Sequence, residues 1–470
     1  MGESVERFET IFKKQKMQSR IIAQTTIRQR IEKLRALERE ILKQSKKIQE
    51  ALLADLKKPV LETNFTEIFI SLHEIRHTVK NLAKWMRPEK VRRTLLTATV
   101  RSEIRLEPKG VVLVISPWNF PINLSLTPLI SAVAAGNCVI LKPSEFSPNA
   151  SQILAEIISA VFSEDEVAVV QGDKNIATRL LELPFDHIFF TGNSEIGKYV
   201  MKAAADHHAS VTLELGGKSP VIVDATANLD DAAKKLAIGK FMNCGQACIA
   251  PDYILVQNEV HDQLLTKLIK MVHEFYGSNN EFQASSSFGR IINQRQFKRV
   301  QSLLEVAIDK GAIIECGGTT DEKECYISPT FLTNLHADSS ILHEEIFGPV
   351  LPIIPFTDLK EAIEIVNDKP KPLVMYIFSQ NKNNIEKVLN ETHAGGTTVN
   401  DFGMNYLQFN LPFGGTGMSG FGSSHGLSGL RAFSHERAVA HHHRWSALKL
   451  FAPPYTKFKV FMTKMLIKYL

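Results

Sequence analysis

The chain has 470 residues, 44% of them apolar and 22% charged, with a formal net charge of +5. That length exceeds what one hydrophobic core serves, so two or three domains are expected, and the ordinary composition excludes a disordered, collagen-like or polytopic membrane protein. Residues 1–60 hold 15 Lys/Arg against 8 Asp/Glu, and residues 441–470 hold 6 Lys/Arg and no acid, so the body between them is mildly acidic.

Residues 3–58 and 64–86 read as amphipathic helices, with Ile31, Leu34, Leu37, Ile41 and Leu42 at helical spacing and Pro88 ending the second run. Their Lys/Arg excess is read as a solvated helix face. No basic stripe with interleaved aromatics marks a nucleic-acid surface. The opening MGESVERFETIFKKQK lacks the apolar core of a signal peptide, and no later run approaches the ~20 apolar residues of a spanning helix. A reducing cytoplasm is therefore the expected compartment. Five cysteines (Cys138, Cys244, Cys248, Cys316, Cys325), odd in number and unevenly spaced, make neither a disulfide framework nor a zinc set.

Residues 94–108 (TLLTATVRSEIRLEP) alternate apolar and polar positions, as an antiparallel hairpin does. From Gly110 short apolar runs alternate with helical segments: VVLVIS (111–116), CVILK (138–142), VAVVQG (167–172) and HIFFTG (187–192). This alternation predicts an α/β fold with a parallel, doubly wound sheet, whose ligands gather at the carboxyl ends of the strands. A second βα region runs from Glu214 to about residue 396, with strands at 220–224, 253–257 and 350–356 and helices at 230–241 and 259–276. Residues 398–440 are Gly-rich and are expected to form loops and an edge segment.

Chemistry concentrates in the turns. FMNCGQACIAPDY (241–253) sets Cys248 among small residues, where a carbonyl can reach both the sulfur and a backbone N–H; a reactive thiol there calls for electropositive surroundings. By itself this is equally a buried, inert cysteine. TLELGGKSP (212–220) places Glu214 at a strand end, with Gly216 and Gly217 giving the carboxylate room to move. SPWNFP (116–121) fixes Asn119 between prolines, where its amide can donate to an oxyanion. LKPSE (141–145) presents Lys142 and Glu145 just past a strand. FTGNSEIGK (190–198) is a strand, turn and helix suited to a pyrophosphate, with Thr191, Gly192 and Gly197 around the turn. HEEIFGPVLP (343–352) sets Glu345 and Phe347 in a turn.

Jointly and in this order, from about residue 5 to 440, these strings resemble the aldehyde dehydrogenase superfamily, nearest its class 3 and fatty-aldehyde branch. The resemblance implies a Rossmann-like cofactor domain (1–87 and 109–213), a second α/β catalytic domain (214–396) and a small β oligomerisation arm (88–108 and 397–440). It implies Cys248 of the GQAC string as nucleophile, Asn119 as oxyanion donor and Glu214 as general base, with Glu345 the alternative base. Lys142 and Glu145 would contact the adenosine ribose, Thr191, Gly192 and Gly197 would surround the pyrophosphate, and Glu345 and Phe347 would meet the nicotinamide side. The cofactor implied is NAD or NADP, the substrate a medium- or long-chain aliphatic or an aromatic aldehyde, and the assembly a homodimer. No metal is expected, since three adjacent histidines, His441 to His443, cannot converge on one ion and read as a solvated run. Phe120, Ile122 and Ser424 depart from the residues common at these positions and bear on substrate preference. The rival readings are a cofactor-independent thiol esterase, a CoA-acylating dehydrogenase and an inactive structural relative.

In the tail (441–470), Phe458, Phe461, Met462, Met465, Leu466 and Tyr469 fall on one helical face and Lys457, Lys464 and Lys468 on another. A helix of this kind packs on its own enzyme or its dimer mate, or lies in an anionic membrane interface as a peripheral contact.

Overall fold

The computed structural model describes residues 5–94, 97–277, 281–442, 449 and 451–469. The long N-terminal helical run is three helices, Val5–Ala23, Ile27–Lys43 and Ser45–Leu56. Thr26 causes the first break: its hydroxyl accepts from the Gln29 N–H, and the Gln29 side chain accepts from the Thr26 N–H at 2.8 Å, a reciprocal cap that restarts the helix. The next run is a short helix, Val60–Thr63, then a π-turn, Asn64–Phe69, then the helix Ile70–Trp85.

A six-stranded sheet follows, in the order Gly420–Phe421, Ser210–Leu215, His187–Gly192, Val111–Ile115, Cys138–Lys142 and Val167–Val169; only the two-residue edge strand is antiparallel. Its strands alternate between two cores. Val112, Val114, Val139 and Leu141 meet Leu34, Leu37, Ile41 and Leu52, while Val111, Leu113, Ile115 and Ile140 meet Phe8, Ile11, Phe12 and Ile22 on the other face. Each such burial contributes roughly 1.5–3 kcal/mol, so the first three helices and this sheet are one folding unit. Chain order reverses between Val111–Ile115 and His187–Gly192, which opens the crevice where such sheets bind ligands.

The second sheet has seven strands, Ile313–Cys316, Thr330–Thr333, Val350–Phe356, Tyr253–Gln257, Pro220–Val223, Val374–Phe378 and Gly396–Val399, parallel except at the first. Ile254 and Val256 point into one core with Leu236, Leu264 and Leu268; Tyr253 and Leu255 point into another with Ile363 and Val388.

One expectation changes. The hairpin is not contained within 94–108: Glu89–Val91 pairs with Val100–Pro108, and residues 95–96 lie outside the described residues. The Gly-rich stretch supplies its edge segment as the strand Ser434–His442, nine residues paired along the whole of Val100–Pro108 and running past residue 440. His441 and His442 are exposed at the end of this strand, as a solvated run requires, with His441 Nε2 3.4 Å from the buried Glu103 carboxylate; His443 lies outside the described residues.

The tail forms the helix Lys457–Tyr469, and none of its described side chains is buried. Phe458 is 65% exposed, Phe461 60% and Tyr469 68%, so among the described residues nothing covers these rings, while Met462 and Leu466 are half-buried. Among the described residues, no helix is long and apolar enough to cross a membrane.

Candidate active site

The site lies where the carboxyl ends of the six-stranded sheet face the amino ends of the seven-stranded one. Cys248 and Glu345 both precede strands, Tyr253–Gln257 and Val350–Phe356, that are parallel neighbours. Ligand position in the second sheet is thus the reverse of that in the first.

Cys248 stands half-buried beyond a turn, Met242–Gly245, that holds three successive left-handed residues: Asn243 (φ 53°), Cys244 (φ 56°) and Gly245 (φ 73°). A Cβ on Gly245 would lie 2.3 Å from the Gly348 carbonyl, so both the backbone angle and the close approach demand glycine. The strain at the other two residues persists only because the surroundings fix it. Asn243 N–H donates to the Glu62 carboxylate at 2.9 Å, and Asn243 Nδ2 donates to the carbonyls of Asn119 (2.9 Å) and Gln246 (3.1 Å). The Gln246 amide donates to the carbonyls of Asn243 (3.0 Å) and Arg290 (2.9 Å) and accepts from Ile292 N–H (2.9 Å). Cys244 is wholly buried in this turn and its thiol is held above the ordinary range by that burial.

Asn119, 3% exposed, donates one amide hydrogen to the Gln246 carbonyl at 3.0 Å and has a second to offer. Its backbone carbonyl accepts from Lys58 Nζ at 3.0 Å. Phe120, Leu124, Ala247 and Ala250 form an apolar cluster beside the thiol turn.

Glu214 ends the strand Ser210–Leu215, registered against Thr191 on one side and Gly420 on the other. Burial raises its pKa, with the Ser424 hydroxyl and His425 opposing, and one carboxylate oxygen finds no hydrogen-bond partner among the described residues. The space beside Gly216, expected to leave Glu214 room, is filled by Glu345: a Cβ on Gly216 would sit 2.1 Å from Glu345 Oε2. Glu345 is pushed up to about 7 by burial and by Asp252. Its turn is pinned by Arg299, which donates to the carbonyls of Glu345 (3.0 Å) and Ile346 (2.6 Å), and by the Ile346 N–H on Asp252 (2.9 Å). Phe347 (φ 48°) meets Trp118 edge to face at 5.5 Å, joining this turn to the Asn119 turn of the other sheet.

Burial pushes the Cys248 thiol up to about 12, and the carboxylates of Glu214 and Glu345 act in the same direction. Among the described residues, two carboxylates rather than the expected cations dominate the charge around this thiol. Lys218, the cation of the ELGGK string, is instead committed to Asp252 and to the carbonyls of Ile341 (2.8 Å) and Glu344 (2.9 Å), where it ties the Glu214 loop to the Glu345 turn.

On the far side of the crevice, Lys142 is buried at its strand end and pairs with Glu145 at 2.8 Å. Thr191 buries a hydroxyl with no hydrogen-bond partner among the described residues. Asn193 caps the helix Ser194–Asp206 by accepting from Ile196 N–H at 2.9 Å, and a Cβ on Gly197 would strike Leu215. An orphaned hydroxyl, a helix N-terminus and a Lys/Glu pair lie together at the topological switch, a set whose chemistry fits a dinucleotide.

Sequence reasoning missed Lys58, Glu62, Glu67, Lys240 and His425. Glu67 and Glu74, seven residues apart, occupy positions on the buried stripe of their helical run, which is the one signal available in the sequence. Lys240 is buried and pushed down to about 8, chiefly by that burial. His425 stacks on Phe409 at 4.8 Å with Nδ1 3.3 Å from Glu74.

The family model for the aldehyde dehydrogenase family matches residues 3–439. Aldehyde dehydrogenase family 3 member A2 of Rattus norvegicus is 45% identical over 87% of this chain and 84% of that protein. A substrate-bound structure of Staphylococcus aureus AldH has 41% identity and a TM-score of 0.92, covering 97% of this chain and 99% of that one. Glyceraldehyde-3-phosphate dehydrogenase GapN from Methanocaldococcus jannaschii, solved with NADP, has 25% identity and a TM-score of 0.85, covering 94% and 96%. With a crevice in one sheet facing a strained thiol turn in the other, and a family match along nearly the whole sequence, the chain belongs to the aldehyde dehydrogenase family.

Proposed function

We propose that this aldehyde dehydrogenase carries its substrate to the carboxylate through a thiohemiacetal and then a thioester on Cys248, using NAD or NADP. The observation that supports this most is the meeting, around one half-buried thiol, of the Asn119 amide and two carboxylates whose pKa values are raised. A thiol at about 12 is protonated at neutral pH, so attack on the aldehyde must shed a proton; Glu345, at about 7, is placed to accept it near neutral pH, while its charge at higher pH holds the thiol back. The oxyanion that forms is held by the free Asn119 N–H and the Cys248 backbone N–H. The nicotinamide, when bound, supplies the hydride acceptor. Glu214 then activates the water that cleaves the thioester, and its unpartnered oxygen is the place for that water.

In this reading the six-stranded unit holds the cofactor and the seven-stranded unit carries the thiol. The apolar cluster Phe120, Leu124, Ala247 and Ala250 favours an aliphatic or aromatic aldehyde. The three-stranded sheet ends on Ser434–His442, an exposed nine-residue edge, which favours pairing with a second copy in a homodimer. The uncovered rings of the tail helix, flanked by exposed lysines, support peripheral contact with an anionic membrane.

The test is Glu214→Gln, assayed with aldehydes of increasing chain length and both cofactors. A burst of about one reduced cofactor per site, followed by a slow steady state, is expected. Full steady-state activity would remove Glu214 from the hydrolytic step.

A further inference from the structure

We propose that the buried ion pair Lys58–Glu67 is a positioning device for the Asn119 amide, an inference that rests on Asn119 being the oxyanion donor. Both side chains are fully buried and their Nζ and Oε1 atoms lie 2.5 Å apart. Lys58 has three hydrogens to place. One goes to Glu67, one to the Asn119 carbonyl at 3.0 Å, and the ammonium also sits 4.3 Å from the centroid of the Phe120 ring. The second Glu67 oxygen accepts from the backbone N–H groups of Ile122 (3.1 Å) and Asn123 (2.9 Å), which open the helix Asn123–Ala135. One ion pair therefore grips both ends of the turn that presents Asn119: the carbonyl on its exit side and the amides three and four residues on. The same carbonyl also accepts from Asn243, a residue of the turn leading to Cys248, so donor and nucleophile share one anchor.

Glu67 reaches this position from the π-turn Asn64–Phe69, a rare geometry that concentrates at functional sites. As a stability device the arrangement is poor, because an apolar pair of similar volume holds a core as well or better than a desolvated ion pair. As an aiming device it suits the need. A hydrogen-bond donor for an oxyanion has to be held to a fraction of an ångström, and a cation holds a carbonyl more firmly than a neutral donor does.

The experiment is a double-mutant cycle. Lys58→Met and Glu67→Gln are each made in the native protein and in Asn119→Ala. Two rates are measured: acylation of Cys248 by p-nitrophenyl acetate, which needs the oxyanion but no cofactor, and the single-turnover formation of reduced cofactor from an aldehyde. Lys58→Met should slow both by about tenfold or more in the native background and by less than about twofold in Asn119→Ala, where the amide it aims is gone. Cofactor affinity should be unchanged. Equal slowing in both backgrounds, or no slowing in a folded Lys58→Met protein, overturns the proposal. If Asn119→Ala alone leaves both rates intact, it is the oxyanion reading that fails. Should Lys58→Met not fold, Glu67→Gln, of nearly the same volume, carries the same comparison.

Discussion

Replacing Glu345 by Gln should make the Cys248 thiol more reactive in the free protein, and only above neutral pH. The thiol stands at about 12, so at pH 9 only ~0.1% of it is thiolate. Glu345 titrates near 7 and is one of two acids raising the thiol. It is charged at pH 9 and mostly neutral at pH 6. A unit charge ~6 Å away in an effective dielectric of ~20 is worth about 3 kcal/mol, or about two pK units. Gln keeps the shape and removes the charge. Alkylation of Cys248 by N-ethylmaleimide, followed by peptide mass spectrometry, should therefore run ~10–100-fold faster in Glu345→Gln at pH 9 and within about twofold at pH 6. In the native protein the pH–rate profile should flatten above pH 7, where ionising Glu345 opposes each further gain in thiolate. The variant should rise without that break. Equal rates at pH 9, or the same acceleration at both ends, would mean that the Glu345 charge does not act on the sulfur.

Cys248→Ser should abolish aldehyde oxidation with cofactor binding intact by calorimetry, whereas Cys244→Ser should keep most activity. Gly216→Ala should fold, because the added methyl meets only the end of the Glu345 side chain and the backbone angle there is ordinary; its steady-state rate should fall ~10-fold or more while the melting temperature moves by a few degrees. Truncation after Pro454 should reduce activity on long-chain aldehydes more than on short ones and abolish sedimentation with anionic vesicles; an unchanged profile with no vesicle binding by the full chain would sink both ideas. Light scattering at micromolar concentration should give a dimer, and a monomeric mass would refute the edge-pairing role of Ser434–His442.

The turns of the candidate site were legible because each follows or precedes a short apolar run, and the fold brings Asn119, Glu214 and Cys248 into one neighbourhood. What holds those turns was not legible. Lys58 reaches Asn119 from the link 57–59, outside any periodic element, and Glu67 meets the same turn from a helical stretch whose π-turn shifts its register by one residue. Nothing in the TLELGGKSP string shows that its Lys218 pairs with Asp252, which belongs to the FMNCGQACIAPDY string. The position and length of the edge strand Ser434–His442 were not legible for another reason: its burial pattern is exposed almost throughout, so it lacks the alternation that betrays a half-buried strand.

The pairing of Gly420 with Glu214, of Gly426 N–H with Glu74 at 2.9 Å and of Ser434–His442 with Val100–Pro108 bears on how the protein is made. Synthesis runs from the N-terminus, so the thiol and its neighbouring carboxylates leave the ribosome well before the last segment that encloses them. Contacts this distant in sequence form late, since closing a long loop costs entropy before any pairing offsets it. The nascent chain therefore passes through an interval in which the six-stranded sheet has an unpaired edge beside Glu214. That edge stays open until Gly420–Phe421 has been made, so chains stopped before Gly420 keep it exposed.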